Sequence, residues 1–173
     1  MKIFVISLSF FIFIVSTFSE ENHHPKSISL FSKKYFLIGS GLLEYSIFKI
    51  DIYEIAYYKA KGPHSSFLKL IYKRDIKKNV SNQGWEEGLK ENASTHVKEI
   101  LWIKQQTPDL KENDQLIILV DGEKGFIILN NKIKAQTNDK KISRLLHLPW
   151  IGPYPVDEDL KKDLLGHPIS FFN

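Results

Sequence analysis

Two short apolar runs flank an Asp-Gly pair in the stretch LIILVDGEKGFIIL, residues 116–129. An Asp-Gly pair favours the positive φ angles of a tight hairpin turn, and residues such as Ile, Val and Phe favour strands on both sides of it. The stretch therefore predicts an antiparallel hairpin whose strands cover residues 116–120 and 125–129.

Other strands are predicted on both sides of this hairpin. Residues 35–38 predict a short strand that stops at Gly39-Ser-Gly41, and residues 45–58 predict one long bent strand or two strands. Residues 67–74 and 133–136 predict two more, the second at an edge. The polar residues 20–34 predict a loose lead-in. The sheet is expected to be mainly antiparallel.

Helical spacing replaces strand alternation between residues 81 and 106, which predicts one or two helices there. A third helix is predicted over residues 139–148, ended by Pro149. The last should begin after Asp157, whose side chain suits an N-cap, and stop at Gly166. Strands combined with inserted and terminal helices predict a single α+β domain built from layers.

The composition excludes several classes of protein. The chain has 173 residues, 43% hydrophobic and 25% charged, with no Cys, so disordered, collagen-like and disulfide-stapled proteins are excluded. A thiolate nucleophile and a lipid-acceptor cysteine are excluded for the same reason. The net charge of +4 is mild, so we expect no nucleic-acid partner and at most a weak attraction to a membrane surface.

The first residues have the pattern of an export signal. Lys2 precedes the apolar run of residues 3–18, and Thr17 and Ser19 place small residues before a cleavage point. The pattern predicts a secretory signal peptide over residues 1–19, cleaved near Ser19, although retention as a membrane anchor is an alternative. The mature chain is then periplasmic or secreted, and its Lys, Ile and Asn bias suits a bacterial source.

Common cofactor and metal motifs are missing. Gly39-Ser-Gly41 is followed by Glu44 where a dinucleotide fingerprint has its third glycine. The histidines lack the shared spacing of metal ligands, and neither a Gly-x-Ser-x-Gly elbow nor a phosphate loop occurs. We therefore expect no cofactor and no metal.

Arg74 is the first candidate for a ligand-binding residue. It is one of two arginines in the chain and ends an apolar strand directly before Asp75. A guanidinium group can hold a carboxylate through two parallel hydrogen bonds. Arg74 could hold an acidic ligand if it points inward, or it could form a structural pair with Asp75.

A second group of candidates shares one predicted helix face. Polar groups there stand in line with an indole and a leucine, at Trp85, Leu89, Asn92 and His96. A mostly apolar face with one or two polar groups is typical of a binding pocket, and it is also typical of a helix edge that meets water.

Several segments, in this order along the chain, resemble the bacterial chalcone isomerase-like proteins. They are Gly39-Ser-Gly41 with residues 48–58, LIYKRDI at 70–76, GWEEGL at 84–89, NDQL at 113–116 with its hairpin, and DEDLKKDLLG at 157–166. The resemblance covers residues 35–166 and implies a domain over residues 35–170.

The resemblance implies an open-faced β-sandwich, with helices on one face of a large sheet and a ligand cleft between the layers. Plant members of this family close a chalcone into a flavanone, and other relatives bind fatty acids with an arginine on the carboxylate. The plant arginine, threonine and tyrosine positions hold Leu43, Tyr53 and Trp85 here, and only their asparagine is retained, as Asn92. Ring closure needs a cation beside the phenolate. Chalcone isomerase activity is therefore not expected.

The function expected from these observations is non-catalytic binding of a small amphipathic or fatty-acid-like ligand in the cleft. Its expected lining residues are Arg74, Trp85, Asn92, Tyr53 and His96. The alternatives are an isomerase or lyase acting on a phenolic or enone substrate, and an envelope adaptor that uses its basic exterior or the aromatic segment 149–154. The oligomeric state is left open.

Overall fold

A computed structural model of the chain describes residues 24–45, 49–62 and 64–166. The predicted signal peptide over residues 1–19 and the end of the predicted domain, residues 167–170, lie outside these residues. No helix in the described part of the chain is long and apolar enough to cross a membrane.

The described residues form seven strands in one sheet, in which every neighbouring pair is antiparallel and the spatial order follows the chain order. The strands are β1 (Ser27–Leu30), β2 (Lys33–Tyr45), β3 (Ile50–Ala60), β4 (Ser65–Tyr72), β5 (Gln115–Asp121), β6 (Lys124–Leu129) and β7 (Lys132–Thr137). The predicted hairpin is confirmed as β5 and β6, with Gly122 at φ 65° in the turn.

Five helices are described, two between β4 and β5 and three after β7. They are α1 (Lys78–Ala93), α2 (Val97–Gln106), α3 (Lys140–Leu145), α4 (Leu148–Ile151) and α5 (Glu158–Leu165). The prediction for α5 is confirmed at both ends. The Asp157 carboxylate accepts hydrogen bonds from the backbone N–H groups of Asp159 and Leu160, and Gly166 follows the last turn at φ 67°.

Two strand predictions are wrong. Residues 20–34 are not all a loose lead-in, because β1 lies within them and pairs with β2, so the sheet begins before residue 35. Gly39-Ser-Gly41 does not end a strand, because β2 continues through it to Tyr45. Gly39 is needed for space: a Cβ atom there would overlap the backbone oxygen of Asp163 in α5.

One helix prediction is also wrong. Residues 139–148 do not form one helix ended by Pro149, because α3 stops at Leu145 and Pro149 lies in the first turn of α4. Proline is tolerated in a first helical turn, where its missing N–H would have no partner in the helix.

Apolar residues cover both faces of the central strands. One face packs against the helices and includes Tyr53, Ile55, Leu70, Ile118 and Ile127. The other face includes Tyr35, Tyr58, Phe67, Leu119 and Ile128. Alternate residues of each strand therefore enter different cores, as the period of two requires.

The sheet curls around the second core. The Lys33 ammonium at the start of β2 lies 2.7 Å from the Asp121 carboxylate at the end of β5, although two strands, β3 and β4, lie between β2 and β5. The Phe31 and Phe126 rings, from the β1–β2 turn and β6, are 5.3 Å apart. A curled antiparallel sheet with helices on its outer face confirms the predicted α+β layer architecture.

Candidate ligand-binding site

A cavity of about 430 Å³ lies between the helix layer and the sheet. Strands β2 to β6 line it from one side, and α1, α4 and the segments after α2 and before α5 line it from the other. Its volume falls in the range of about 300–1,000 Å³ that is usual for small-molecule sites. The cleft that the family resemblance implies between the two layers is therefore present.

Four aromatic side chains connect the two walls of the cavity: Tyr53, Tyr72, Trp85 and Trp150, called the aromatic quartet below. The two tyrosine rings, from β3 and β4, meet edge to face at 5.4 Å, and the two indoles, from α1 and α4, do the same at 5.3 Å. The indole N–H of Trp150 donates a hydrogen bond of 2.8 Å to the Tyr53 hydroxyl. The quartet thus holds helix and sheet together beside the cavity without filling it.

The two tyrosine hydroxyls stay protonated near neutral pH. Burial raises the pKa of Tyr53 and of Tyr72 well above the ordinary value, because the phenolate form would lose its hydration. The Tyr53 oxygen already accepts the Trp150 hydrogen bond. The Tyr72 side chain is only 5% exposed, and its hydroxyl makes no hydrogen bond within the described residues. The cavity wall therefore offers an uncharged O–H donor at Tyr72.

The exposed members of the lining mark the opening of the cavity, and the three charged residues among them are all acidic. Glu44 at the end of β2, Glu87 on α1 and Asp157 before α5 all lie there, beside the exposed side chains of Tyr45 and Val80. Among residues 24–45, 49–62 and 64–166, no Lys, Arg or His side chain lines the cavity.

Two of the five residues predicted to bind a ligand, Tyr53 and Trp85, lie together at the cavity. Arg74 does not, and the expectation that it points inward needs correction. It is exposed in the bend after β4 ends at Tyr72. Its expected partner Asp75 instead accepts hydrogen bonds from the Lys111 ammonium at 2.7 Å and the Glu112 backbone N–H at 3.0 Å.

Asn92 lies outside the cavity lining and has a structural role. Its amide nitrogen donates to the carbonyl oxygens of Gly88 and Tyr154, and its oxygen accepts from the Tyr154 N–H. These bonds tie α1 to the loop after α4. Because backbone groups occupy its hydrogen-bonding atoms, the Asn92 side chain holds that loop in place and does not face a ligand.

His96 is also absent from the cavity lining. Helix α1 ends at Ala93, so the spacing that places Trp85, Leu89 and Asn92 on one face does not continue to residue 96. His96 instead precedes α2, with its Nδ1 atom 3.3 Å from the Thr95 hydroxyl oxygen.

Two residues of the cavity lining, Tyr72 and Trp150, are not predicted from the sequence. The period of two along β4 could have indicated Tyr72, because it shares a face with Leu68 and Leu70. Trp150 gave no such signal, since the segment 149–154 has no strand or helix periodicity long enough to assign a face.

Comparison of folds supports this architecture. A search of proteins with curated functions finds no match to the chain. Among solved structures, 36 chains match, including a fatty-acid binding protein of Arabidopsis thaliana. That structure has a TM-score of 0.65 and 16% sequence identity, and the match covers 82% of this chain and 90% of the Arabidopsis chain. At this identity the similarity establishes the fold alone.

A protein-family model matches most of the sequence. The chalcone isomerase-like family model matches residues 19–166, which include every strand and helix described above. The resemblance noted from the order of the sequence segments is therefore confirmed, and the chain belongs to the chalcone isomerase-like family.

Proposed function

We propose that this chain is an exported binding protein rather than an enzyme, and that it holds a small hydrophobic or amphipathic molecule between its sheet and its helices. The observation that carries the proposal is the 430 Å³ cavity lined by the aromatic quartet and by aliphatic residues of β2 to β6. Apolar surface of this kind favours a ligand with a long apolar body, because binding removes both surfaces from water.

A solved structure of the same fold supports the same class of ligand. A protein that shares the fold is described as a fatty-acid binding protein, so this architecture can accommodate an extended aliphatic chain. A fatty-acid-like ligand for the present chain is consistent with the aliphatic side chains of Ile118 and Ile127 on the sheet side of the cavity.

An isomerase or lyase is the less favoured function. Closing a phenol onto an enone needs a cation beside the phenolate and donors beside the enolate oxygen. Tyr72 could donate, but no basic side chain of the described residues lines the cavity. The absence of turnover in an absorbance assay across a panel of chalcones is the result we expect, and turnover that is lost in Tyr72→Phe would favour the enzyme.

An envelope adaptor is also less favoured. Pro149 and Trp150 are buried in the helix layer, which leaves Tyr154 as the one highly exposed aromatic residue of segment 149–154. Surface lysines such as Lys33, Lys111 and Lys140 form ion pairs with carboxylates, which reduces the positive charge that these side chains present to a partner.

Ligand binding can be tested with Nile red, an uncharged dye whose fluorescence rises in apolar surroundings. We expect saturable binding of one dye per chain. Gly84 lines the cavity, and no atom lies within 4 Å of a Cβ placed there, so Gly84→Phe can enter open space without breaking the fold. It should weaken dye binding by about tenfold, because the ring occupies volume the ligand needs.

The control variant is Val97→Phe, which adds the same ring at an exposed position of α2 outside the cavity. It should bind the dye like the unaltered chain. Absence of saturable binding, or equal weakening by both substitutions, would contradict the proposed cavity function.

Export is tested separately. The pattern of Lys2, the apolar run and Ser19 supports cleavage after residue 19. The protein recovered from the envelope or medium of its host should therefore begin at Glu20, which an intact-mass measurement checks. A chain in the membrane fraction that still begins at Met1 would support the retained anchor instead.

A further inference from the structure

The charges around the cavity are opposite in sign to the charge of the whole chain. The chain carries a net charge of +4, yet the charged side chains at the opening are those of Glu44, Glu87 and Asp157. Glu44 and Glu87 form no ion pair within the described residues. The carboxylate of Asp157 caps the N-terminus of α5, where it accepts two backbone hydrogen bonds.

An anionic head group finds no favourable position in this cavity. If the head group lies inside, it loses its hydration and meets no cation among the described lining residues, which is costly for an ionised carboxylate. If it lies at the opening, it meets Glu44 and Glu87, and like charges at short range repel. Both orientations of a fatty-acid anion are therefore opposed.

The inner wall does suit one polar atom, a neutral hydrogen-bond acceptor. Tyr72 is 5% exposed and lines the cavity, and its hydroxyl has no hydrogen-bond partner within the described residues. This O–H is not one of the fully buried atoms that lack a partner, so it is accessible from the cavity, and a ligand oxygen can replace water there as its acceptor. The neighbouring Tyr53 ring, 5.4 Å away, is held by the Trp150 hydrogen bond and keeps the Tyr72 ring in place.

We propose that the cavity takes an uncharged lipid-like molecule, that the Tyr72 hydroxyl donates to its carbonyl or ether oxygen, and that the carboxylates at the opening select against fatty-acid anions. This inference rests on the proposed binding function and narrows it to a ligand class. Tyr72 supplies the attraction to the preferred ligand, while Glu44 and Glu87 supply the repulsion of the competing one.

Three twelve-carbon probes with different head groups test this selection: methyl dodecanoate, dodecanoate and dodecyltrimethylammonium. Each is titrated at pH 8 against the full chain carrying Nile red, and displacement of the dye is measured. We expect the ester to bind about tenfold more tightly than the anion. It should also bind more tightly than the cation, because the trimethylammonium group, although attracted to the carboxylates, cannot accept a hydrogen bond from Tyr72.

Two variants separate the causes. Tyr72→Phe should weaken ester binding by about three- to tenfold, the loss of one neutral hydrogen bond, without weakening dodecanoate binding. The double variant Glu44→Gln, Glu87→Gln should strengthen dodecanoate binding at least about threefold and leave ester binding unchanged. Tyr154→Phe removes an exposed hydroxyl outside the cavity and should change nothing.

Each failure has a distinct meaning. The inference is wrong if dodecanoate or the cation binds as tightly as the ester, or if Tyr72→Phe leaves ester binding intact. In either case, saturable binding of Nile red would still support the proposed function. If Nile red and all three probes fail to bind, the proposed function and this inference fall together.

Discussion

Gly39→Ala is expected to lower the free energy of unfolding by about 3 kcal/mol, the upper part of the usual range for overpacking a core. The added Cβ would overlap the backbone oxygen of Asp163 and lie 2.8 Å from the backbone oxygen of Leu164. Backbone atoms cannot rotate away as a side chain can, so α5 must shift off the sheet. That shift exposes Leu160 and Leu164, which are 4% and 0% exposed in the native fold.

Urea unfolding followed by circular dichroism measures this effect. The matched control is Gly84→Ala, the same chemical change inside α1, where no atom lies within 4 Å of the added Cβ. It should raise stability by up to about 1 kcal/mol, because alanine favours a helix over glycine. If the two variants shift the unfolding midpoint equally, steric contact with α5 is not the reason for Gly39.

The stability of the fold should also fall by about 3 kcal/mol when the pH is lowered from 6.5 to 4, through His147 alone. Its Nε2 atom lies 2.9 Å from the Ile118 carbonyl oxygen, to which the neutral ring donates. Burial lowers the pKa of His147 to about 4, since the charged ring would lose its hydration.

The direction of this pH effect follows from proton uptake by the unfolded chain. Below pH 6.5 the unfolded state binds a proton on His147 that the folded state does not bind until about pH 4. Unfolding therefore becomes easier by about 1.4 kcal/mol for each pH unit across that window, and full stability is present above it.

Urea unfolding at pH 7, 5.5 and 4.5 measures the slope, and His147→Gln tests its origin. A glutamine keeps an N–H donor for the Ile118 carbonyl but cannot bind a proton in this range. The variant should lose most of the dependence between pH 6.5 and 4. An unchanged slope in the variant would assign the acid sensitivity to other groups. Carboxylates with a lowered pKa, such as that of Asp121, also stabilise the fold, and this contribution is lost only at the acid end of the range, where they take up protons.

The family and the fold class were predictable because they depend on the order of short local patterns. The Asp-Gly turn before Glu123, the cap at Asp157 and the change of period at the start of α1 are each set by residues close together in the chain. The same patterns could not predict the position of Arg74. It depends on where β4 ends and on which side chain pairs with Asp75, and that side chain is Lys111.

The candidate site was only half predictable. Tyr53 and Trp85 were expected through the family resemblance and do line the cavity, whereas Asn92 and His96 do not. The acidic opening brings together Glu44, Glu87 and Asp157, which are more than 40 residues apart from one to the next. A pattern within one segment carries no information about proximity between residues so far apart in the chain.

The sequence by itself determined which segments form strands, which form helices and where several of these elements end. These features depend on neighbouring side chains and on local backbone geometry. Only the tertiary structure decided that Gly39 lies under α5, that Tyr72 faces a cavity and that the opening is acidic. These features arise from contacts between segments distant in the chain, which depend on how the curled sheet and the helix layer pack.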